Sequence, residues 1–382
     1  MATPKLNVSR RIRATPYTPR VEALGVSGYS VVNHTILPKG FQKTVEEDYW
    51  HLKAHVQLWD VGCQRQVELH GPDAARLTQL MTPRDLSKAD VGLCLYAPLV
   101  DPQGKMLNDP IILKLADDHF WLSIADSDIL LWAKGLAYGL GFNVNVCEPD
   151  VWPLAVQGPK ADDLMEKIFG QEVRDIGFFR FRILEFNNHP FIIARSGYSK
   201  QGGFEIYLDR PALGPKLWDA LWEAGLEFNV SPGSPNLIER VEGGLLSYGN
   251  EFTMENNPLE CGLDQYCQLD GDFDFIGKAA LQKIARQGIQ RLMRGIVFGG
   301  DACPPCQYPW PVRIDGNEVG IVTTAIWSPR FENNVALGMI GRGFWEAGTR
   351  VEINSSDGLT RNGFITDIPM NDDAIKPLLD NI

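Results

Sequence analysis

The stretch Val67-Glu-Leu-His-Gly-Pro-Asp-Ala-Ala-Arg-Leu-Thr-Gln-Leu80 decides how the fold is read. Val67 to His70 alternates apolar and polar side chains as a half-buried strand does. Gly71-Pro-Asp73 is turn chemistry, and Ala74–Leu80 has helical spacing with Asp73 placed to cap it. The same order returns at Leu154-Ala-Val-Gln-Gly-Pro-Lys-Ala-Asp-Asp-Leu-Met-Glu-Lys-Ile168. Strand, Gly-Pro turn and helix occurring twice predict two related α+β lobes. Outward from these units, Val45, Tyr49, Leu52, His55 and Val56 recur at helical spacing from Thr44 to Leu58, and the stretch then breaks into Trp59-Asp-Val-Gly, a helix running into a strand. Leu95–Val100 and Pro110–Leu115 are predicted strands flanking the turn Asp101-Pro-Gln-Gly104. Phe120–Ile124 precedes a predicted helix at Ser127–Gly139. Beyond a helix at Lys278–Gln287, stopped by Gly288, short strands punctuated by Gly and Pro predict a separate small all-β domain.

The chain has 382 residues, of which 44% are hydrophobic, 22% charged and 10% aromatic. At about 100–200 residues per domain this is two or three globular domains, which excludes a disordered, collagen-like or disulfide-scaffold chain. The net charge of −12 offers no basic stripe for a phosphate backbone or an anionic lipid surface, so neither nucleic acid nor a membrane is an expected partner. Arg10-Arg11 superficially resembles a twin-arginine signal, but the residues after it are polar and broken by proline, so no export signal is expected. The most apolar run, Asp128 to Leu140, is amphipathic and interrupted by Lys134, Gly135 and Gly139. Seven scattered cysteines suit a reducing cytoplasm, the expected location.

Four segments carry the functional information: Gly104-Lys-Met-Leu-Asn-Asp-Pro110, Arg195-Ser-Gly-Tyr-Ser-Lys-Gln-Gly-Gly-Phe-Glu-Ile-Tyr207, Glu239-Arg-Val-Glu-Gly-Gly-Leu-Leu-Ser-Tyr-Gly-Asn250, and Gly320 to Gly338. In this order, with Gly71-Pro-Asp-Ala and Gln157-Gly-Pro, they resemble the folate-dependent aminomethyltransferases, the T-protein of the glycine cleavage system and its relatives. The resemblance implies an α+β chain of three domains in a ring, with tetrahydrofolate as co-substrate in a central funnel and a C-terminal β-barrel. The expected boundaries are 1–60 with 148–277, 61–147, and 278–382. Within the family, the early Arg-Arg-x-Arg-x-Thr-Pro, Asn108-Asp-Pro, Gly197-Tyr-Ser-Lys-Gln-Gly-Gly and Pro235-Asn-Leu-Ile-Glu-Arg240 are most similar to the dimethylsulfoniopropionate demethylases. That branch moves a methyl group from a sulfonium to tetrahydrofolate. The resemblance also implies a homodimer.

A pterin presents a donor and acceptor edge that a carboxylate can pair with, and it asks for aromatic walls. Glu205, between Phe204 and Tyr207, fits, and on a strand Glu205 and Tyr207 share a face; an edge-strand Glu in solvent is the alternative. The resemblance places Asp109 near the reacting folate nitrogen as the catalytic carboxylate, although a plain turn acid is the alternative there; it places Tyr96 and Tyr248 at the folate, and Arg240 where a guanidinium would pair the folate's glutamate tail. A sulfonium carboxylate wants aromatic faces near sulfur and a cation at its other end. Phe179 and Arg180 offer these groups, with Tyr29 and Asn33 as further substrate candidates, although alternating Phe and Arg also describes a half-buried strand. A sulfonium is already activated, so in-line attack by nitrogen asks mainly for alignment and exclusion of water.

Cys303-Pro-Pro-Cys306 lacks a second pair or neighbouring histidines, so no metal site is expected. His51 and His55 stand one helical turn apart, but Leu52 replaces the glutamate of a metalloprotease motif. No Gly-x-Gly-x-x-Gly opens a helix after a strand, which argues against a dinucleotide cofactor. The alternatives that remain are a glycine-cleavage aminomethyltransferase, another folate-dependent amine demethylase and a non-catalytic folate-binding module.

Overall fold

A computed structural model describes residues 8–379; the first seven residues of the segment read for an export signal lie outside them. The chain divides into two compact units. One comprises the described residues through Thr78 with Lys88–Tyr96 and Pro110–Asn236; the other comprises Gln79–Ser87, Ala97–Asp109 and the residues from Leu237 onward.

The first unit holds two large sheets and a two-stranded one, Tyr29–Val32 with Thr35–Pro38. In the larger, six strands run in the order Phe181–Phe186, His189–Ala194, Gly203–Leu208, Trp152–Gln157, Val56–Asp60, Val230–Gly233. Neighbours are antiparallel except the last pair. One face, with Leu58, Leu154, Val156, Phe204 and Ile206, is fully buried in a core shared with Leu164 and Met165 of the Ala161–Phe169 helix and Leu217 and Trp218 of the Gly214–Gly225 helix. The smaller sheet is antiparallel throughout, in the order Asn145–Cys147, Arg65–His70, His119–Ile124, Ile111–Ala116, Cys94–Tyr96.

Both Gly-Pro turns need their glycine. Gly71 has φ +139° and a Cβ there would lie 2.8 Å from the Asn143 carbonyl oxygen; Gly158 has φ +122° and its Cβ would lie 2.2 Å from that of His55. Other expectations shift by a few residues. The first helix is Val45–Ala54, opened by a capping box in which Thr44 accepts from the Glu47 N–H and Glu47 from that of Thr44. It ends before Val56 because His55 leaves helical geometry. The single strand expected at Leu95–Val100 is two, Cys94–Tyr96 and Leu99–Val100, with Pro98 between them. Asp73, read as a helix cap, instead accepts the backbone N–H of Asn143 at 2.8 Å. The helix expected at Ser127–Gly139 runs Ile129–Leu140 and stops at left-handed Gly141.

The second unit is built on a closed six-stranded barrel in the order Arg291–Phe298, Asn333–Gly341, Asn317–Ser328, Trp310–Ile314, Arg350–Asn354, Thr360–Thr366. Ile296, Phe298, Val312, Val322, Ala336, Ile340, Ile353 and Ile365 fill its interior. Closure removes the free sheet edges. The predicted Lys278–Gln287 helix is present, with Gly288 at φ +76° ending it. Among the described residues no helix is long and apolar enough to cross a membrane.

One buried acid ties the N-terminal segment to the larger sheet. Asp60 is 3% exposed and accepts from Thr15 Oγ1 at 2.6 Å and the Gly62 N–H at 3.2 Å. Burial outweighs both bonds and pushes its pKa up to about 7. The folded chain therefore holds a proton that the unfolded chain has released, so this contribution to stability is present at low pH and lost as pH rises through about 7. Thermal unfolding followed between pH 5 and pH 8 should show a steeper fall in Tm for the natural chain than for Asp60→Asn; parallel profiles would refute the assignment.

Candidate functional site

In the first unit the site is built on the Gly203–Leu208 strand, which lies inside the six-stranded sheet rather than at an edge. Glu205 and Tyr207 share its face opposite the main core and are 5% and 1% exposed. The two residues paired beside Glu205 on the neighbouring strands are Ala155 and Ala194, whose side chains are only methyl groups. Ser196 Oγ donates to Glu205 Oε2, and the Gln64 side chain also bonds the carboxyl. Burial nevertheless raises the Glu205 pKa above the usual carboxylate range; the two hydrogen bonds favour the charged form and only partly offset it. Tyr207 packs with Trp121, ring centres 6.1 Å apart, in a cluster that includes Cys94, Leu113, Phe181 and Phe179. Its phenol is pushed well above its ordinary pKa by burial first and the Glu205 charge second. Tyr96 closes the short strand Cys94–Tyr96, is half-buried, and is paired with Ile111.

Phe178-Phe179 is a turn, Arg180 forms an isolated bridge with Leu93, and the strand begins only at Phe181. Phe179 stands at φ +56°; its N–H donates to the Arg195 carbonyl at 3.0 Å and its own carbonyl accepts from Cys94 at 2.9 Å. The ring of Phe179 is thereby held against the aromatic cluster. Arg180 is about half exposed, with Asp90 at 3.9 Å as its ion-pair partner.

Tyr29 and Asn33 differ from each other. The Tyr29 hydroxyl is buried with no described residue in hydrogen-bonding geometry, and burial followed by the charges of Glu22 and Asp60 pushes its pKa up to about 12. Asn33, expected at the substrate, is occupied as a clamp: its Nδ2 donates to the carbonyls of Ala125 at 2.9 Å and Cys63 at 3.1 Å, and its N–H to Asp126 at 2.9 Å. At 3% exposure its amide nitrogen has spent its donors on backbone.

In the second unit, Asp109 follows the Met106–Asn108 strand and is half-buried beside the fully buried Asn108. Arg240, on the Leu237–Gly243 helix, was read as an anchor for the folate tail; the structure supplies its carboxylate internally. Arg240 Nη1 lies 2.9 Å from Glu251 Oε2, with the two side chains 9% and 0% exposed. Arg240 Nη2 donates to Thr324 Oγ1 at 3.2 Å, and Thr324 Oγ1 donates to Glu251 Oε1. Glu251 also accepts the Ser247 N–H at 2.8 Å, which fixes the turn carrying Tyr248. Tyr248 is half-buried, edge-on to Phe252 with ring centres 5.6 Å apart.

The comparisons agree with this architecture. The model of the GCVT N-terminal domain matches residues 17–271, and that of the glycine cleavage T-protein C-terminal barrel domain matches residues 291–370. The chain belongs to the glycine cleavage T-protein family. It is 53% identical over 360 residues to a dimethylsulfoniopropionate demethylase of Ruegeria pomeroyi, covering 93% of this chain and 98% of that protein. It is 32% identical to an aminomethyltransferase of Koribacter versatilis, covering 77% of this chain and 79% of that one. The crystal structure of the glycine cleavage system aminomethyltransferase T from Bartonella henselae superposes with a TM-score of 0.84 at 22% identity, covering 94% of this chain and 98% of that one, a likeness of fold.

Within this T-protein-family chain, Ser196, Gln64 and Glu251 are the site residues that sequence reading missed. Ser196 and Glu251 lie inside or next to segments already singled out, whereas Gln64 is brought to Glu205 only by folding. Removing one member of a buried ion pair leaves the other uncompensated, at about 3–5 kcal/mol. Urea unfolding should therefore find Arg240→Met strongly destabilised and Arg240→Met with Glu251→Leu largely restored. Equal stability of the single variant and the natural chain would contradict the pairing.

Proposed function

We propose that this chain transfers a methyl group from dimethylsulfoniopropionate to N5 of tetrahydrofolate, releasing 3-(methylthio)propionate and 5-methyltetrahydrofolate. The observation that carries this reading is the 53% identity to the Ruegeria pomeroyi demethylase over nearly the whole of both chains. The residues fit the folate. Glu205 is a buried carboxyl flanked by alanines and already oriented by Ser196, which suits a pterin edge with adjacent N–H donors.

Tetrahydrofolate supplies the nucleophilic nitrogen. Glu205 would bind and orient the pterin, with Tyr207 and Tyr96 as walls. Phe179 would face the sulfonium and Arg180 would hold the substrate carboxylate, whereas Tyr29 packs against the main core of the larger sheet. Asp109 would favour the positive charge that builds on the attacking nitrogen and accept its proton after transfer, as the carbon–sulfur bond breaks and a neutral thioether leaves. Arg240 is assigned a positioning role through Glu251 and the turn of Tyr248. The functional divisions of the chain are proposed at 1–60 with 148–277, 61–147, and 278–382, a reading supported by the presence of three main sheets. A cytoplasmic homodimer completes the proposal; sedimentation of the full chain tests the dimer.

The direct test supplies substrate carrying deuterated S-methyl groups to the purified chain with tetrahydrofolate under anaerobic conditions. Mass spectrometry should find one labelled methyl on the folate product for each thioether acid released. Glu205→Gln should weaken folate binding by at least about tenfold, the scale of one charge-assisted hydrogen bond, and Arg180→Ala should raise KM for the sulfonium with kcat less affected. Folate binding without label transfer would contradict the demethylase reading and redirect the search to amine donors or a lipoyl carrier.

A further inference from the structure

One row of side chains crosses the whole of the smaller sheet. Cys147, Glu68, Trp121, Leu113 and Cys94 are cross-strand partners in turn, so all five project from one face. Trp121, Leu113 and Cys94 pack in the cluster that holds Tyr207 and Ala194 of the larger sheet, and Ala194 is the cross-strand partner of Glu205. That face of the smaller sheet is therefore packed against the face from which Glu205 and Tyr207 project. Glu68 is the one charged residue of the row, and the proposed mechanism does not use it.

The Glu68 carboxylate is committed to its neighbours. Its Oε1 accepts the Trp121 indole N–H at 2.9 Å and lies 2.8 Å from His119 Nε2, and its Oε2 accepts from Cys147 Sγ at 3.2 Å. Three donors from the two flanking strands thus fix one carboxylate. Burial opposes its charge, yet these bonds hold it below the usual carboxylate range. A buried indole N–H needs an acceptor, and an ionised acceptor makes the stronger and better oriented bond. Trp121 is 7% exposed, with its nitrogen fixed on Glu68 and its ring 6.1 Å from that of Tyr207, centre to centre, at 46°. Pinning the nitrogen stops the indole turning about its last side-chain bond, so it presents one surface to Tyr207.

We propose that Glu68 is a positioning residue of the folate site, acting through the Trp121 indole on the Tyr207 wall. This role rests on the folate reading of Glu205 and Tyr207. Its effect is preorganisation: a wall already held in one orientation need not be ordered by the arriving pterin.

The test is a double-mutant cycle read as the dissociation constant of tetrahydrofolate, measured by anaerobic calorimetry on the full chain. Glu68→Met, which keeps the volume and removes the acceptor, should weaken binding about fivefold, the scale of one hydrogen bond, and Trp121→Phe should weaken it similarly. In the Trp121→Phe background Glu68→Met should cost less than about twofold, because the bond it breaks is already gone. Glu68→Gln, which retains an oxygen for the indole, should restore most of the natural affinity. In ¹⁵N spectra the Trp121 indole signal, assigned by its absence from Trp121→Phe, should move on addition of tetrahydrofolate. Glu68→Ala takes the place of Glu68→Met in the cycle if the latter does not fold. Natural affinity in Glu68→Met or Trp121→Phe, additive losses in the double variant, no rescue by Glu68→Gln, or an indole signal indifferent to tetrahydrofolate would overturn the role and leave the folate reading intact. A natural chain that does not bind tetrahydrofolate would overturn that reading and this role with it.

Discussion

A carboxyl group on an interior strand is the constraint around which the first unit is arranged. Glu205 cannot reach bulk water from the middle of a six-stranded sheet, so its environment must be supplied by neighbours. Ala155 and Ala194 leave it room, and Ser196 and Gln64 bond it. The buried Gln157 amide donates to the Ser196 carbonyl at 3.1 Å, and Gln157 Oε1 accepts from Ser199 Oγ at 2.8 Å, so the loop bearing Ser196 is itself anchored. The opposite face of the same sheet is packed by helices, which makes the strand rigid. An acid kept partly desolvated and held in one orientation is suited to a ligand that brings its own pair of donors.

The second unit solves a related problem with the opposite sign. Arg240 is a buried cation on a short helix, and Glu251 and Thr324 complete a closed network around it. Such a network gains little net energy relative to apolar packing, but it fixes geometry. Here the geometry fixed is the turn from Leu245 to Glu251, with Tyr248 at its centre. The chemistry proposed for the chain needs placement more than reactive groups, because a sulfonium carries its own leaving group.

Much of this was legible in the sequence, for identifiable reasons. The alternation through Val67 and Leu69 and the Gly-Pro turns located strands and helices because the glycine position of those turns admits no Cβ. Glycine and proline punctuation marked the C-terminal portion as all-β, and the closed barrel satisfies that expectation. Glu205 and Tyr207 could be placed on one face because strand periodicity is two. What escaped were side-chain pairings that only the folded backbone brings about. Nothing in the local sequence shows that Arg240 will meet Glu251 before any ligand, or that Asn33 will spend its amide on the backbone of residues 63 and 125. Phe179-Arg180-Phe181 reads as a strand from its start because alternation over three residues does not reveal that Phe179 is a left-handed turn residue.

That Glu205 is a buried acid which binds the pterin is tested most directly by infrared difference spectroscopy of its carboxyl stretch, with Glu205→Gln as the reference for assignment. In the free chain the band should titrate above the usual range for glutamate. On addition of tetrahydrofolate it should shift to the carboxylate form at a pH where the free chain is still protonated. A Glu205 carboxyl that titrates normally, or that does not respond to tetrahydrofolate, would contradict the account.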